Sequence, residues 1–285
     1  MKVIVVIVLY KVPIEHCKTL NTIKRNLAEF DFPNNQIEFV IYDHSPEMQE
    51  IPDEMIVGCE VSYIHDSRNL GIATAYNYAL KRAQDLNAQW LILFDHDTEV
   101  TRDYIRKIST INEIDASVVA IVPKINHIDK MISPVFSDTL QHLKGEKPNP
   151  GIQNKEIMAI NSASILRVSF LTEIGGFNEE FPLDYLDHWL FNEIFFKNYK
   201  VYVLDTVIQH ELSVMDYNQV SLWRYQSILD SEINFYKNYK RDLLRQYKMQ
   251  LLKRLCKQIL LVSNKKIAFY TLRKFFSLLK GNEEK

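Results

Sequence analysis

The chain has 285 residues, of which 47% are apolar, a composition that excludes a disordered protein and allows one large domain or one domain with an appendage. Its formal net charge of −2 conceals a division, because residues 240–280 carry +11 and the rest of the chain carries −13. Such an asymmetry points to an anionic surface as a partner.

The glycine and cysteine content excludes several common kinds of site. None of the 7 glycines belongs to a dinucleotide-binding, P-loop or hydrolase-elbow signature. The 3 cysteines are far apart in sequence, which fits reduced thiols better than a disulfide framework or a zinc site. We therefore expect a cytoplasmic protein.

Apolar runs that predict strands alternate with helical patterns through the first half of the chain. The run over residues 3–10 predicts a buried strand rather than a signal peptide, because it stops at Lys11 and Pro13 without a cleavage site. No stretch approaches the roughly 20 apolar residues of a membrane span. Further strands are predicted at 37–43, 61–65, 89–95 and 117–123, with helices at 14–30, 69–86 and 102–114. This alternation predicts an α/β fold with a mainly parallel sheet flanked by helices.

The regular pattern is lost between residues 126 and 155, where prolines and glycines predict a long loop or flap. Beyond it, strands are predicted at 157–160, 201–204 and 207–210, and helices at 168–174 and 186–198. From residue 220 to residue 280 the chain is predicted to be almost wholly helical. We expect two parts, an α/β domain over residues 1–215 and a basic helical extension over residues 216–285.

Polar residues that follow the predicted strands mark the expected ligand site, because ligands of open α/β sheets bind beyond the carboxyl ends of the strands. Asp43 ends one strand, and a carboxylate there can accept hydrogen bonds from a base or a ribose. Arg68 lies just before a predicted helix start with Gly71 nearby, an arrangement that suits an anion.

Asp95 and Asp97 follow a buried strand and are spaced to present oxygens to a divalent cation, which in turn can clamp a diphosphate. The same spacing also fits a solvated turn, and such pairs arise by chance. Asp184 and Asp187 have a structural alternative as well, because acidic side chains at a helix start cap free N–H groups.

Six motifs occur in an order that resembles glycosyltransferase family 2, whose members have the GT-A fold. They are Asp43, the stretch from Arg68 through Gly71 to Asn77, the Asp95-His96-Asp97 triplet, and residues 161–164, 175–178 and 183–187. The resemblance covers about residues 1–215. Residues 184–189 are most similar to the rhamnosyltransferase-like branch of the family.

The resemblance implies roles on the donor side. It implies that the nucleotide of a nucleoside-diphosphate sugar is bound by Tyr10, Asp43, Asn69, Gly71 and Asp95, with Arg68 added as the anion-binding residue. It implies that Mg²⁺ or Mn²⁺ is bound by Asp97 and by His210, although a lone histidine is often only a structural hydrogen-bonding residue.

On the acceptor side, the resemblance implies that Asp187 is the base that deprotonates the attacking hydroxyl, and one in-line displacement then inverts the anomeric centre. Further acceptor-side candidates are Asp184, Trp189, Phe177 and Trp223. Two departures from the family pattern stand out. Trp189 occupies a position where an acidic residue is usual, so we interpret it as a packing or acceptor-stacking residue. His96 replaces a more common glutamine.

The expected activity is transfer of a sugar to a glycan or a lipid-linked acceptor in cell-surface polysaccharide synthesis. Rhamnose from dTDP-rhamnose is the first choice of donor, on resemblance alone, and a UDP-sugar carrying galactose, glucose or N-acetylhexosamine is the alternative. A sugar-nucleotide pyrophosphorylase is a rival, but it should carry a glycine-rich phosphate loop where this chain has residues 10–13. A catalytically inactive glycan-binding or scaffold subunit is the non-enzyme rival.

The basic helical segment at residues 240–280 leaves alternatives open. Leucines recur there at helical spacing among lysines and arginines, a pattern that suits an anionic membrane such as the inner face of the cell membrane. The same helices could pack on the acidic body or on a second subunit of a homodimer. Nucleic acid is not an expected partner, because no recognised binding module accompanies the segment.

Overall fold

The protein was analysed as a computed structural model, which describes residues 2–27, 36–52, 55–109, 114–128, 130–140, 146–209 and 220–280. One large sheet forms the centre of the molecule. Its first four strands are β1 (Val3–Leu9), β2 (Ile37–Asp43), β3 (Glu60–His65) and β4 (Trp90–Asp95). They pair in parallel in the order β3-β2-β1-β4. Their carboxyl ends therefore meet at one edge.

Helices cover both faces of these strands, which explains why β1 and β2 are buried at every position. Successive side chains of β1 enter two different apolar cores. Ile4 and Val6 pack with α2 (Ile72–Asp85), whereas Val5 and Ile7 pack with α1 (Lys18–Leu27) and α3 (Arg102–Ser109). The strand period of two and the double burial together account for the continuous apolar run in the sequence.

The predicted helix over 14–30 is divided in the structure. A short 3-10 turn, Ile14–His16, comes first, and α1 then begins at Lys18. Residues 28–30 of that prediction lie outside the described residues.

The second half of the sheet contains β5 (Val118–His127), β6 (Lys130–Ser133), β8 (Gly151–Gln153), β10 (Ile165–Arg167) and β11 (Lys200–Gln209). The short β10 inserts between β4 and β5 and runs antiparallel to both. A separate pair is formed by β7 (Val135–Phe136) and β9 (Ile157–Met158). The stretch at residues 126–155, predicted as a long loop or flap with room for short strands, contains the short strands β6, β7 and β8.

One further difference concerns β11, which the sequence divides into two predicted strands. The structure has a single strand whose pairing with β5 shifts register between Val203 and Val207. Asp205 lies in this irregular part and accepts a 2.7 Å hydrogen bond from Lys124. Polar residues at a bulge interrupt the apolar pattern without ending the strand.

Two helices pack on this half, α4 (Val168–Glu173) and α5 (Leu186–Phe196), and the chain then continues into helical structure as predicted. Its elements are α6 (Leu222–Asn234), a π-helical turn (Phe235–Tyr239), a 3-10 turn (Arg241–Leu243), α7 (Leu244–Leu261) and α8 (Lys265–Lys280). Tyr225 of α6 and Tyr247 of α7 lie in the same apolar core as Leu186 of α5. The C-terminal helices therefore share a core with the α/β body.

These features confirm the predicted α/β fold, with a mixed and mostly parallel sheet, flanking helices and helices at the C-terminal end. None of the helices in the described ranges has the length and apolar composition that crossing a membrane requires.

Candidate functional site

Several predicted site residues meet at the carboxyl edge of the sheet. Tyr10 follows β1 directly and is 42% exposed, Asp43 is the last residue of β2, and Asp95 is the last residue of β4. Because these strands are parallel neighbours, residues far apart in sequence lie side by side at one edge.

Asp43 is completely buried and held by hydrogen bonds from its own chain. The backbone N–H of Ser45 donates to Oδ1 at 2.8 Å, while the Tyr63 hydroxyl and the Gln49 side-chain amide each donate to Oδ2 at 2.8 Å. Burial by itself would raise the pKa of Asp43, but a hydrogen bond from the Ser45 side chain and those from the Ser45 N–H, Tyr63 and Gln49 outweigh it, so the pKa is lowered. The sequence singled out Asp43 and missed Tyr63 and Gln49.

Arg68 is oriented by Asp66, a carboxylate that the sequence analysis did not single out. Arg68 donates through Nε and Nη2 to the two oxygens of Asp66, at 2.7 and 2.8 Å, and the Tyr42 hydroxyl also donates to Asp66 at 2.8 Å. The bidentate pair with Arg68 is the main reason that the pKa of Asp66 lies well below its usual range. The guanidinium of Arg68 is thus partly neutralised and fixed, while its side chain stays 68% exposed.

Gly71 joins the predicted donor side to the segment that leads into α5. Its backbone has φ 103° and ψ 168°, and the next residue, Ile72, donates its N–H to the Pro182 carbonyl at 2.6 Å. A β-carbon at position 71 would lie 2.6 Å from Pro182 Cβ. Glycine is therefore required by the close approach of the two segments. Its neighbour Asn69 is exposed, with a left-handed φ of 49°.

The Asp95-His96-Asp97 turn is attached to two distant segments. The Asp95 N–H donates to Ser162 Oγ at 2.9 Å, and the Ser162 and Thr98 hydroxyls share a hydrogen bond of 2.7 Å. The Thr19 hydroxyl donates to the Asp95 carbonyl, and the Thr98 N–H donates to Thr19 Oγ1 at 3.0 Å. Ser162 belongs to a matched motif, and the structure gives it a physical role: it orients the turn that carries both aspartates.

Asp187 lies in the first turn of α5, where its Oδ1 accepts a 2.8 Å hydrogen bond from the His188 N–H. One oxygen of Asp187 thus accepts a backbone N–H of the first helical turn, as the structural alternative for this residue requires. The preceding Tyr185 has a left-handed φ of 66° and stacks on the His188 ring, with centroids 4.4 Å apart.

The carboxylates of Asp95, Asp97 and Asp187 interact electrostatically. Burial raises the pKa of Asp95 to about 7, with further contributions from the negative charges of Asp97 and Asp187. Burial also raises the pKa of Asp187 to about 6, with the charge of Asp184 adding to it. The buried Tyr76 hydroxyl lies in the field of Asp95 and Asp187, and burial with these charges raises its pKa. Negative charge is therefore concentrated at this place.

The acceptor-side candidates are placed in different environments. Asp184 accepts hydrogen bonds from Arg224, and from the Ser227 hydroxyl at 3.2 Å, so it connects the α5 start to α6. Phe177 is 3% exposed and packs on Tyr76, with ring centroids 5.1 Å apart. Trp189 is 6% exposed within the apolar core, an environment of packing, whereas Trp223 is 70% exposed on α6.

Asn77 fixes the loop that carries Phe177. Its side-chain oxygen accepts the Phe177 N–H at 2.7 Å, and its side-chain N–H donates to the Phe177 carbonyl at 2.9 Å. The sequence predicted no individual role for Asn77, which was only one member of a motif. The structure shows that it ties α2 to the loop between α4 and α5.

A divalent cation fits the donor set at Asp95 and Asp97. The described part of the chain contains no group of three potential metal ligands, and His210 lies outside it. Magnesium in phosphate-transfer sites, however, uses one or two carboxylates together with substrate phosphates and water. A cation bound there would also stabilise the ionised form of Asp95, whose pKa is raised by burial and further by the charges of Asp97 and Asp187.

Comparison with known proteins identifies the family of the chain. A family model described as Glycosyl transferase family 2 matches residues 4–175, which contain Asp43, Asp95 and Asp97. In sequence, no curated protein matches the chain.

Solved structures are similar to the chain in fold. The mannosyltransferase PcManGT from Pyrobaculum calidifontis, in complex with GDP-Man and Mn²⁺, has a TM-score of 0.54 and 16% identity, over 83% of this chain and 64% of its own. S. aureus TarS has a TM-score of 0.53 and 15% identity, over 98% of this chain and 49% of its own. TarS 1–349 in complex with UDP-GlcNAc has a TM-score of 0.51 and 13% identity, over 98% and 81%. The chain thus spans about half to two thirds of the first two.

Proposed function

The chain belongs to glycosyl transferase family 2, and from this premise we propose that it is a glycosyltransferase that uses a nucleotide-sugar donor. The proposed reaction moves a sugar from a nucleoside diphosphate to a hydroxyl of a glycan or lipid-linked acceptor, with inversion at the anomeric carbon. The observation that supports it most is the cluster of Asp95, Asp97 and Asp187 at the carboxyl edge of the sheet.

The donor is proposed to bind over the ends of β1, β2 and β4. Tyr10 supplies a partly exposed ring for the nucleoside. The Asp43 carboxylate is buried and bonded to Ser45, Gln49 and Tyr63, so its proposed role is to support the nucleoside pocket rather than to bond the nucleoside directly. Asp95 faces the ribose or the diphosphate, and Asp97 binds the cation, with His210 as a further proposed ligand. When bound, Mg²⁺ or Mn²⁺ supplies a Lewis acid that stabilises the negative charge of the departing diphosphate.

Asp187 is proposed to accept the proton of the acceptor hydroxyl as that oxygen attacks the anomeric carbon. Its raised pKa, about 6, makes it a stronger base than an ordinary aspartate while leaving it mostly ionised at neutral pH. The hydrogen bond from the His188 N–H fixes one oxygen, so the other can accept the proton. A single displacement with one such base inverts the anomeric centre.

Asp184 and Trp223 are proposed to border the acceptor. Asp184 is held by Arg224 of α6, and Trp223, the residue before Arg224, is exposed. An exposed tryptophan ring can stack on the apolar face of a sugar ring. Phe177 and Trp189, both buried, are proposed to act by supporting residues 177–187, which we call the acceptor loop.

The donor sugar is tested by a panel of nucleotide sugars. dTDP-rhamnose is included on the resemblance of residues 184–189, and GDP-mannose and UDP-N-acetylglucosamine are included because structural neighbours were captured with these compounds. The protein is incubated with each compound and Mn²⁺ or Mg²⁺, and donor hydrolysis and thermal stabilisation are measured. Failure of every nucleotide sugar to stabilise the protein or be turned over would refute the proposal.

The role of Asp187 is separated from donor binding by Asp187→Asn. We expect transfer to fall by about 100-fold or more, because general-base catalysis contributes about that much, while the donor still binds. Asp85→Asn is the matched control, since Asp85 is an exposed aspartate at the far end of α2. A catalytically inactive scaffold subunit would instead bind the donor and show no transfer that Asp187→Asn could reduce.

A further inference from the structure

The outward face of α8 carries alternating basic and aromatic side chains. Lys266, Phe269, Arg273, Phe276 and Lys280 are separated by three or four residues, so they form one stripe along the helix, and all five are exposed. Phe269 is 69% exposed and Phe276 is 54% exposed. Two phenylalanines with more than half of their surface exposed on one helix face are unusual for a protein with a large core.

The outward face of α7 has a similar composition. Met249 and Leu252 are 56% and 38% exposed, and Leu260 and Leu261 at the end of the helix are 79% and 74% exposed. Exposed basic residues lie between them, at Lys253 and Lys257. We call the outward residues of α7 and α8 the basic-apolar surface; its members are Met249, Leu252, Lys253, Lys257, Ile259, Leu260, Leu261, Lys266, Phe269, Arg273, Phe276 and Lys280.

The inward faces of the same helices are occupied by the body of the protein. Arg254 of α7 donates twice to Glu232, at 2.5 and 2.7 Å, and Lys274 of α8 pairs with Asp230 at 2.7 Å. Internal packing therefore accounts for these basic residues. Within the described chain, Lys253, Lys257, Lys266 and Arg273 make no side-chain ion pair.

We propose that the basic-apolar surface docks the protein onto an anionic lipid bilayer, with α7 and α8 lying on the membrane. Apolar side chains enter the interface between headgroups and acyl chains, while lysines and arginines beside them remain at the level of the phosphates. The absence of acidic residues between residues 243 and 280 removes the repulsion that an anionic surface would otherwise meet.

A second copy of the chain is a poorer occupant of this surface. A symmetric dimer would place two sets of unpaired lysines and arginines against each other, because the same patch contributes from both partners. An anionic bilayer instead supplies negative charge together with an apolar interior, so it matches both components of the surface. The docking does not depend on transferase activity, and it is tested without it.

The test is flotation of the complete chain with vesicles of phosphatidylcholine alone or of phosphatidylcholine mixed with phosphatidylglycerol. We expect binding to the anionic vesicles and not to the neutral ones, and we expect it to weaken as salt is added. Lys266→Glu with Arg273→Glu should reduce the fraction bound by about tenfold or more, because each basic residue near an anionic surface strengthens binding by about fivefold.

Matched controls distinguish docking from general changes in charge or hydrophobicity. Arg25→Glu with Lys81→Glu makes the same change in net charge on exposed positions of α1 and α2. Phe269→Ser with Phe276→Ser should reduce binding, whereas Phe196→Ser, which changes a phenylalanine that is 78% exposed on α5, should not. All these positions are exposed, so thermal unfolding should be nearly unchanged.

Three results would overturn the proposal. One is failure of the unaltered chain to bind anionic vesicles. Another is equal loss of binding in the Arg25 and Lys81 control, which would show a non-specific effect of net charge. The third is a dimer in sedimentation equilibrium that Phe269→Ser with Phe276→Ser converts to monomer, which would assign the surface to a second copy of the chain.

Discussion

Replacing Gly71 with alanine tests the contact between the proposed donor side and the acceptor loop. The glycine has φ 103° and ψ 168°, a region that side-chain-bearing residues occupy at a cost of about 1–3 kcal/mol. The added methyl would also lie 2.6 Å from Pro182 Cβ and 2.7 Å from the Pro182 carbonyl carbon. Carbon atoms pack at about 3.5–4.0 Å, so one segment must move by about 1 Å.

The expected loss combines the two effects. Overpacking against Pro182 costs about 1–3 kcal/mol in addition to the cost of the strained backbone at position 71. Gly71→Ala should therefore lower the free energy of unfolding by about 4 kcal/mol. Moving Pro182 also displaces the segment that leads to Asp187. A displacement of about 1 Å is enough to lower transfer by about 100-fold.

Gly151→Ala is the matched control, because Gly151 has φ 111° but nothing within 4 Å of an added β-carbon. Its free energy of unfolding should fall only by the cost of the strained backbone, about 1–3 kcal/mol, and transfer should be retained. Urea unfolding gives both free energies, and initial rates with a turned-over nucleotide sugar give both activities. Equal destabilisation by the two substitutions, with transfer intact in Gly71→Ala, would show that the contact with Pro182 is not tight.

Three further predictions concern the carboxylates. Because Asp187 acts as a base only when ionised and burial raises its pKa to about 6, the transfer rate should be flat near pH 8 and fall about tenfold per unit at low pH; a rate unchanged down to about pH 4 would contradict this. The folded pKa of Asp95, about 7, exceeds its ordinary value of 3.8, so the native state loses stability as pH rises through that window. Asp95→Asn should therefore raise the free energy of unfolding by about 2 kcal/mol at pH 8 with a chelator present and leave it unchanged near pH 4, where equal effects at both values would refute the assignment. Arg224→Ala leaves the mostly buried Asp184 without its cation and should cost about 2 kcal/mol in urea unfolding, and the loss should shrink when Asp184→Asn is already present; additive losses would exclude the ion pair as the cause.

The strands and helices that form the proposed donor side could be predicted from the sequence. The strand predictions at 37–43 and 89–95 agree with β2 and β4 within one residue at each end, because both strands are buried on both faces and read as continuous apolar runs. The position of Asp43 and Asp95 at the ends of those runs was enough to predict that they share an edge. Parallel pairing follows from the alternation of strands and helices.

The hydrogen-bond partners of those carboxylates could not be predicted from the sequence. Tyr63 lies 20 residues from Asp43, and Ser162 lies 67 residues from Asp95, so no local pattern links either pair. Asp66 is close to Arg68 in sequence, in a turn closed by the Asn69 N–H and the Asp66 carbonyl at 3.3 Å, but the sequence does not indicate that both of its oxygens face the guanidinium. The antiparallel pairing of β10 with β4 and β5 could not be predicted either, because its three residues are too few to indicate the direction of a strand.

The charge division also illustrates what each level determined. The sequence by itself determined that residues 240–280 form basic amphipathic helices, because charge and apolar spacing are properties of neighbouring residues. Only the tertiary structure decided which side chains face inward. Arg254 and Lys274 meet carboxylates of α6, whereas Lys266 and Arg273 remain exposed. Which face of a helix is buried depends on the elements packed against it, and those come from distant parts of the chain.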